Sequence, residues 1–336
     1  MGVKLSILDQ SIIEPGETAH EALGHTIELV QRAEKLGYHR FWVSEHHDSE
    51  GVVGSSPEVL ISHLLARTER IRIGSGGVML QHYSPYKVAE NFNVLAALAP
   101  GRVDLGIGRA PGGLPRSTRA LQQEGGVKRT LAEKLAELDQ YLHDHLPEDH
   151  PLYGVKALPH PEEPAVLYLL GTSVASAEVA AKQGVPYVFA QFINGDEEVI
   201  EKAFATYREQ FPADQARKPE AILALSVIVG DTDEEAKVLA SDAKVVKIHL
   251  ESGNTLTVKS IESAEEYGRQ SQEKYRIEVK EADVIHGSKE TVREKLLAIQ
   301  ARYGVDELIV TIAVKGFAKR LRGYELLQEA FAEQAV

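Results

Sequence analysis

The chain has 336 residues, 43% apolar and 26% charged, a soluble globular composition at a length that one α/β barrel domain can account for. Its 37 basic and 50 acidic side chains leave a net charge of −13 with no long basic block, which argues against nucleic acid as a partner because phosphate contacts dominate such affinity. There is no cysteine, which excludes disulfides, thiolate metal sites and a cysteine nucleophile, and no apolar run approaches the ~20 residues that span a bilayer, so no membrane partner and a cytoplasmic location are expected.

The opening residues MGVKLS fit a loose acylation pattern through Gly2 and Ser6, but Ser6 also falls inside KLSILD (4–9), which reads as a first strand and is the preferred reading. A helix follows from about Thr18 to Leu36, with apolar residues at Ala22, Ile27, Val30 and Ala33 and Gly37 as its stop. FWVS (41–44) and IRIGSGGVML (71–80) are the next strands. Ser56–Pro57 and Ser84–Pro85 supply N-cap and first-turn residues for the helices after them. VDLGIG (103–108) precedes a long polar loop and a helix from about Thr130, and AVLYLLG (165–171) precedes ASAEVAAKQ. YVFAQF (187–192) precedes a helix near 197–210, and ILALSVIVG (222–230) leads to a capping box of Thr232 with Glu235. ELIVTIA (307–313) and a C-terminal helix complete the pattern.

Eight near-continuous apolar strands, each followed by helix, predict an α/β fold, a (β/α)8 TIM barrel in a single domain. An open doubly wound sheet is the alternative, and the missing G-x-G-x-x-G in the first strand–helix turn counts against its dinucleotide-binding form. Residues 230–305 are too many for one helix. They are expected to hold helices and an insertion at about 249–287, around HLESGNTLTVKS, near the barrel mouth.

Active residues of such barrels come from the C-terminal ends of strands. The second strand ends in Ser44-Glu45-His46-His47. Three readings compete there: a metal site, an acid/base imidazole, or a polar strand end. Adjacent histidines in an extended chain face opposite ways and no H-E-x-x-H is present, so no metal ligand set is expected. The fourth strand ends in GIGRAPGG, with Arg109 in a loop with Ala110 and Pro111, and the fifth in GTSVAS, where Gly171, Thr172, Ser173 and Ser176 open a helix. A guanidinium and a hydroxyl-bearing helix start on neighbouring strands would hold a phosphate in two ways. GSKETV (287–292), with Ser288, is a rival phosphate site ranked second because no arginine precedes it. GSGG within the third strand suggests close approach of a flat ligand.

WVSEHH, RIGSGGVMLQHYSPYKVAE, LAPGRVDLGIGRAPGG and HGSKETVREKL together resemble the bacterial luciferase-like flavin-dependent monooxygenases, over nearly the whole chain. The resemblance implies FMN at the C-terminal face of the barrel. It places His46 on the active-site histidine, Arg109, Ser173 and Ser176 on phosphate-contacting positions, and Gly76 and Gly77 on a non-prolyl cis peptide under the flavin ring. It implies oxygenation of a small organic substrate with O2, flavin reduced by a separate reductase or by NAD(P)H, and a homodimer. The deazaflavin F420 serves some related barrels, and a barrel that binds flavin without turnover is a further alternative. Gly108 stands where the luciferase catalytic subunit has a reactive cysteine, so light emission is not implied. Thr172 replaces an acidic residue of the luciferases, and Gln191 stands where a histidine is expected.

Overall fold

The computed structural model describes residues 3–122, 129–213, 218–241, 243–258 and 260–332, so Gly2 of the acylation pattern lies outside the described residues. In chain order the strands are β1 (Lys4–Asp9), β2 (Arg40–Val43), β3 (Arg72–Met79), β4 (Val103–Gly108), β5 (Val166–Gly171), β6 (Tyr187–Ala190), β7 (Ala221–Val229), β8 (Lys244–Leu250), β9 (Thr255–Val258), β10 (Tyr275–Glu281), β11 (Ile285–Gly287) and β12 (Glu307–Thr311). β1 to β7 pair in parallel in sequence order, and β12 pairs with both β7 and β1, closing an eight-stranded parallel barrel. The helices are α1 (Ala19–Leu36), α2 (Pro57–Leu65), α3 (Pro85–Leu98), α4 (Pro115–Leu121), α5 (Leu131–Leu142), α6 (Val174–Gln183), α7 (Glu197–Gln210), α8 (Asp233–Ala240), α9 (Ile261–Ser271), α10 (Lys289–Tyr303) and α11 (Phe317–Ala332). None of them is long and apolar enough to cross a membrane.

Local chemistry sets the helix ends. Thr18 and Glu21 form a capping box at α1, and Gly37 ends that helix at φ 84°. Ser56 and Ser84 occupy the N-cap positions of α2 and α3 as expected, but neither side chain caps. Proline at the first helical position removes one of the N–H groups that would need a partner. Thr232 caps α8, whereas the Glu235 carboxylate accepts from Asp231 N at 2.9 Å rather than from the Thr232 backbone, so the expected box is only half made.

One side-chain set fills the barrel lumen: Leu8, Trp42, Tyr168, Val188, Ile222, Ala224 and Ile309 form a single buried cluster. β3 and β4 contribute almost no side-chain volume to it. A Cβ on Gly76 would lie 2.8 Å from Leu8 Cδ1, and one on Gly106 would lie 2.2 Å from the Ser75 carbonyl oxygen. The lone tryptophan, Trp42, occupies space that the glycines leave, edge-on to Tyr168 at a centroid distance of 5.1 Å. Part of the GSGG signal is therefore a packing demand of the barrel, and ligand approach is not needed to explain it.

The opposite end of the lumen is plugged by charge. Arg40, the first residue of β2, is buried and donates to Asp104 at 3.0 Å, to Glu307 at 2.9 Å and to the Tyr168 hydroxyl at 2.6 Å. Trp42 Nε1 donates to Asp104 at 3.0 Å and Ser6 to Glu307 at 2.6 Å. These groups sit at or near the N-terminal ends of β1, β2, β4 and β12, the face where such barrels build stability rather than catalysis.

The late excursion is a three-stranded antiparallel sheet, β10–β8–β9, covered by α9 around Val246, Ile248, Leu250 and Ala264. It begins at Lys244, before the expected boundary at 249, and HLESGNTLTV (249–258) lies in its β8–β9 hairpin. α4, inside the loop expected to be irregular, touches α9, and Arg116 N donates to the buried Gln270 side chain at 2.9 Å. The excursion is thereby tied to the segment that follows β4.

Candidate active site

β2 alternates faces: Arg40 and Trp42 point into the lumen, while Phe41 and Val43 join the core beneath the helices. Beyond the strand end Ser44 and His46 pair on one side, with Ser44 Oγ 3.1 Å from His46 Nδ1. Glu45 and His47 turn the other way, with His47 Nε2 2.7 Å from Glu45 Oε1. The two histidines thus separate, as their adjacency required. His46 N donates to Gly54 O at 2.8 Å and His47 N to Gly112 O at 2.7 Å, which joins the β2 end to the β4 loop.

Glu45 is fully buried and organises the mouth beside β3. Besides His47, it accepts from Met79 N at 3.0 Å and from the Tyr83 hydroxyl at 2.8 Å. Burial first, then the Glu45 charge, raises the Tyr83 pKa well above that of a free phenol, so Tyr83 stays a donor. Lys134 of α5 donates to the carbonyls of Leu80, Gln81 and Tyr83 and fixes the 3₁₀ turn at Leu80–His82. From that turn, Gln81 Nε2 donates to Ala110 O at 3.0 Å, and His82 Nε2 lies 2.8 Å from Pro111 O. Desolvation lowers the His82 pKa, and its Nδ1 lies 3.1 Å from the Gln122 amide nitrogen. That pair of contacts suits only the neutral ring, which donates at Nε2 and accepts at Nδ1.

Arg109 follows β4 into the solvent and has no hydrogen-bond or ion-pair partner among the described residues. β5, the next strand, runs into α6, where Ser173 is the N-cap and accepts from Ser176 N at 3.3 Å. The Ser176 and Tyr187 hydroxyls both donate to Ser173 O, at 2.7 and 3.1 Å, and burial pushes the Tyr187 phenol up to about 12. A Cβ on Gly171 would sit 2.1 Å from Ser176 Oγ, so this crossing admits glycine alone. Asn194 Nδ2 holds Thr172 O at 2.9 Å. Gln191, at the end of β6, has a buried side-chain oxygen without a partner.

The rival anion site is already taken. Ser288 N donates to Asp233 Oδ1 at 2.7 Å and Thr291 Oγ1 to Asp233 Oδ2 at 3.2 Å, so an internal carboxylate occupies the start of α10. At the mouth, the peptide between Gly76 and Gly77 is cis. Glu45, His46 and His47 do not gather their ligand atoms into one set; among the described residues the one set of three or more such atoms within 4.8 Å of one another lies elsewhere. The sequence singled out His46, Arg109, Ser173 and Ser176. It did not single out Tyr83, His82, Gln81 or Lys134, although HYSP immediately after a strand end was a usable signal.

The mouth can therefore do two things chemically. The start of α6, where the capping box leaves the Val174 and Ala175 N–H groups unpartnered, and the Arg109 guanidinium lie on adjacent strand ends and can hold an anion, and the His46 imidazole can exchange a proton. A family model for luciferase-like monooxygenases matches residues 3–307. The N-acetyl-S-alkylcysteine monooxygenase of Bacillus subtilis (strain 168) is 44% identical over 329 residues, covering 98% of each chain. The crystal structure of apo-MsnO8 superposes with a TM-score of 0.79 at 33% identity, covering 98% of each chain. The oxygenating constituent of 3,6-diketocamphane monooxygenase from Pseudomonas putida, solved in complex with FMN, shares the fold at a TM-score of 0.72 and 17% identity, covering 100% of this chain and 99% of that one.

Proposed function

The chain belongs to the luciferase-like monooxygenase family, and from that premise we propose that it is a two-component monooxygenase using reduced FMN at the barrel mouth. The observation that carries the reading is the unpaired Arg109 on the strand end next to the start of α6. A phosphate suits that combination of a charged fork and a helix start whose capping box leaves the Val174 and Ala175 N–H groups without a partner among the described residues. The other residues fit the same group. The Gly76–Gly77 peptide is cis in the C-terminal half of β3, and the unpartnered Gln191 oxygen can accept from a polar ring edge.

When bound, the reduced flavin supplies two electrons that let one atom of O2 enter the substrate while the other leaves as water. The chain's own residues bind, orient and exchange protons. Arg109, Ser173 and the first N–H groups of α6 hold the phosphate, with Gly171 and Thr172 shaping its floor. Gln81 and His82, gripping Ala110 and Pro111, keep the arginine loop in place. Ser176 braces Ser173 O, and Gly76–Gly77 supports the ring. Ser44 orients His46 through Nδ1, and we assign proton exchange to the other ring nitrogen.

The name of the Bacillus subtilis relative makes N-acetyl-S-alkylcysteines the first substrates to assay. A flavin reductase supplies the reduced cofactor in this reading. A homodimer forms through α2 and α3, where Val59 and Leu98 are each 68% exposed, and Leu98→Glu should yield monomers in sedimentation. Mass spectrometry of the released cofactor tests the flavin. FMN is expected, and F420 would overturn that assignment.

A further inference from the structure

Away from the mouth, the end of α5 gathers three ligand-bearing side chains. Asp139 and His143 lie one turn apart, and His143 is the C-cap. The chain reverses at Asp144, φ 52°, and His145 N returns to donate to Gln140 O at 3.0 Å. That bond brings His145 over the helix end. From outside the turn, Lys156 Nζ grips the Asp144 carboxylate at 2.6 Å.

His143 Nδ1 is 3.2 Å from Asp139 Oδ1, and His145 Nε2 is 3.7 Å from Asp139 Oδ2. The ligand atoms of all three residues lie within 4.8 Å of one another. Zinc–nitrogen bonds of ~2.0–2.1 Å in tetrahedral geometry set ligand atoms roughly 3.3 Å apart, so small side-chain rotations close the set. Two imidazoles with one carboxylate suit zinc, nickel or copper(II), whereas magnesium and calcium prefer oxygen alone. The C-terminal end of a helix favours a cation, and the site opens to solvent, with the His145 side chain 53% exposed.

We propose that Asp139, His143 and His145 form a surface site for a zinc-class divalent cation, held by two imidazole nitrogens and one carboxylate oxygen. The site is independent of the flavin reading. The test is competition of the untagged full-length chain with a chromophoric zinc chelator. One zinc per chain is expected. His145→Ala and Asp139→Asn should each weaken binding by about tenfold or more, and His63→Ala, an exposed histidine on α2, should not. Zinc, but not magnesium, should raise the melting temperature of the wild type and leave His145→Ala unmoved. No zinc uptake by the wild type, or equal uptake by the three variants, overturns the proposal.

Discussion

His47 Nε2 lies 2.7 Å from Glu45 Oε1, and the Glu45 carboxylate receives two further donors, Met79 N and the Tyr83 hydroxyl. One buried side chain thus fastens the end of β2 to β3 and to the turn after it. Glu45→Ala would strand three donors, and leaving even one unsatisfied costs about 1–3 kcal/mol. The variant should lose about 3 kcal/mol in urea unfolding, while Glu45→Gln, which keeps an acceptor oxygen, should lose less. Equal losses would show that the three donors do not depend on that acceptor.

His82 gives the mouth a pH dependence of known sign. Folding disfavours its imidazolium, through burial first and through the Gln122 amide facing Nδ1. The unfolded chain therefore takes up this proton first, near the ordinary value of ~6.5. The contribution is full above that value and is lost as pH falls toward the lower folded value. Histidine NMR should show His82 titrating below the ordinary value of ~6.5, and His82→Gln should flatten the stability profile below pH ~6.5.

Two glycines of β4 should behave differently on substitution. At Gly106 a Cβ would meet the Ser75 carbonyl oxygen at 2.2 Å, and backbone cannot rotate away. At Gly108 the nearest atom is Met79 Sδ at 3.2 Å, on a flexible side chain. Gly106→Ala should destabilise by about 3 kcal/mol or more and Gly108→Ala by under ~1 kcal/mol, measured by denaturant unfolding.

The two helix starts make separable predictions about the cofactor. Arg109→Ala should weaken FMN binding by about 10- to 100-fold, the worth of a charge-assisted contact. Ser288→Ala should cost roughly 1 kcal/mol of stability through its lost cap and leave FMN affinity unchanged. Fluorescence titration with FMN distinguishes the two, and the reverse pattern would move the phosphate to α10.

The barrel strands were legible because parallel strands buried on both faces are continuous apolar runs, and Gly37 and Thr18 mark their helix ends as local chemistry. Alternation along β2 separates His46 from His47 and makes His46 the candidate. What sequence could not supply was pairing across distance. Nothing local links Ser288 to Asp233, 55 residues away, or Tyr83 to Glu45. GSGG looked like a ligand floor because the bulk that fills its space, Trp42 and Leu8, comes from other strands. The β8–β10 sheet was not legible although Val246, Ile248 and Leu250 of KVVKIHL and Tyr275, Ile277 and Val279 of YRIEVKE alternate with polar residues, because both runs are short and sit within a segment rich in charge.

The most direct measurement is product analysis under ¹⁸O2 with reduced FMN, over thioethers led by N-acetyl-S-alkylcysteines and then aldehydes, alkanes and sulfonates, for wild type and His46→Ala. The wild type should place one ¹⁸O atom in the product. His46→Ala should slow product formation by about 10²-fold or more while binding FMN normally. Absence of label from every product, or an undiminished rate in His46→Ala, would contradict the assignment.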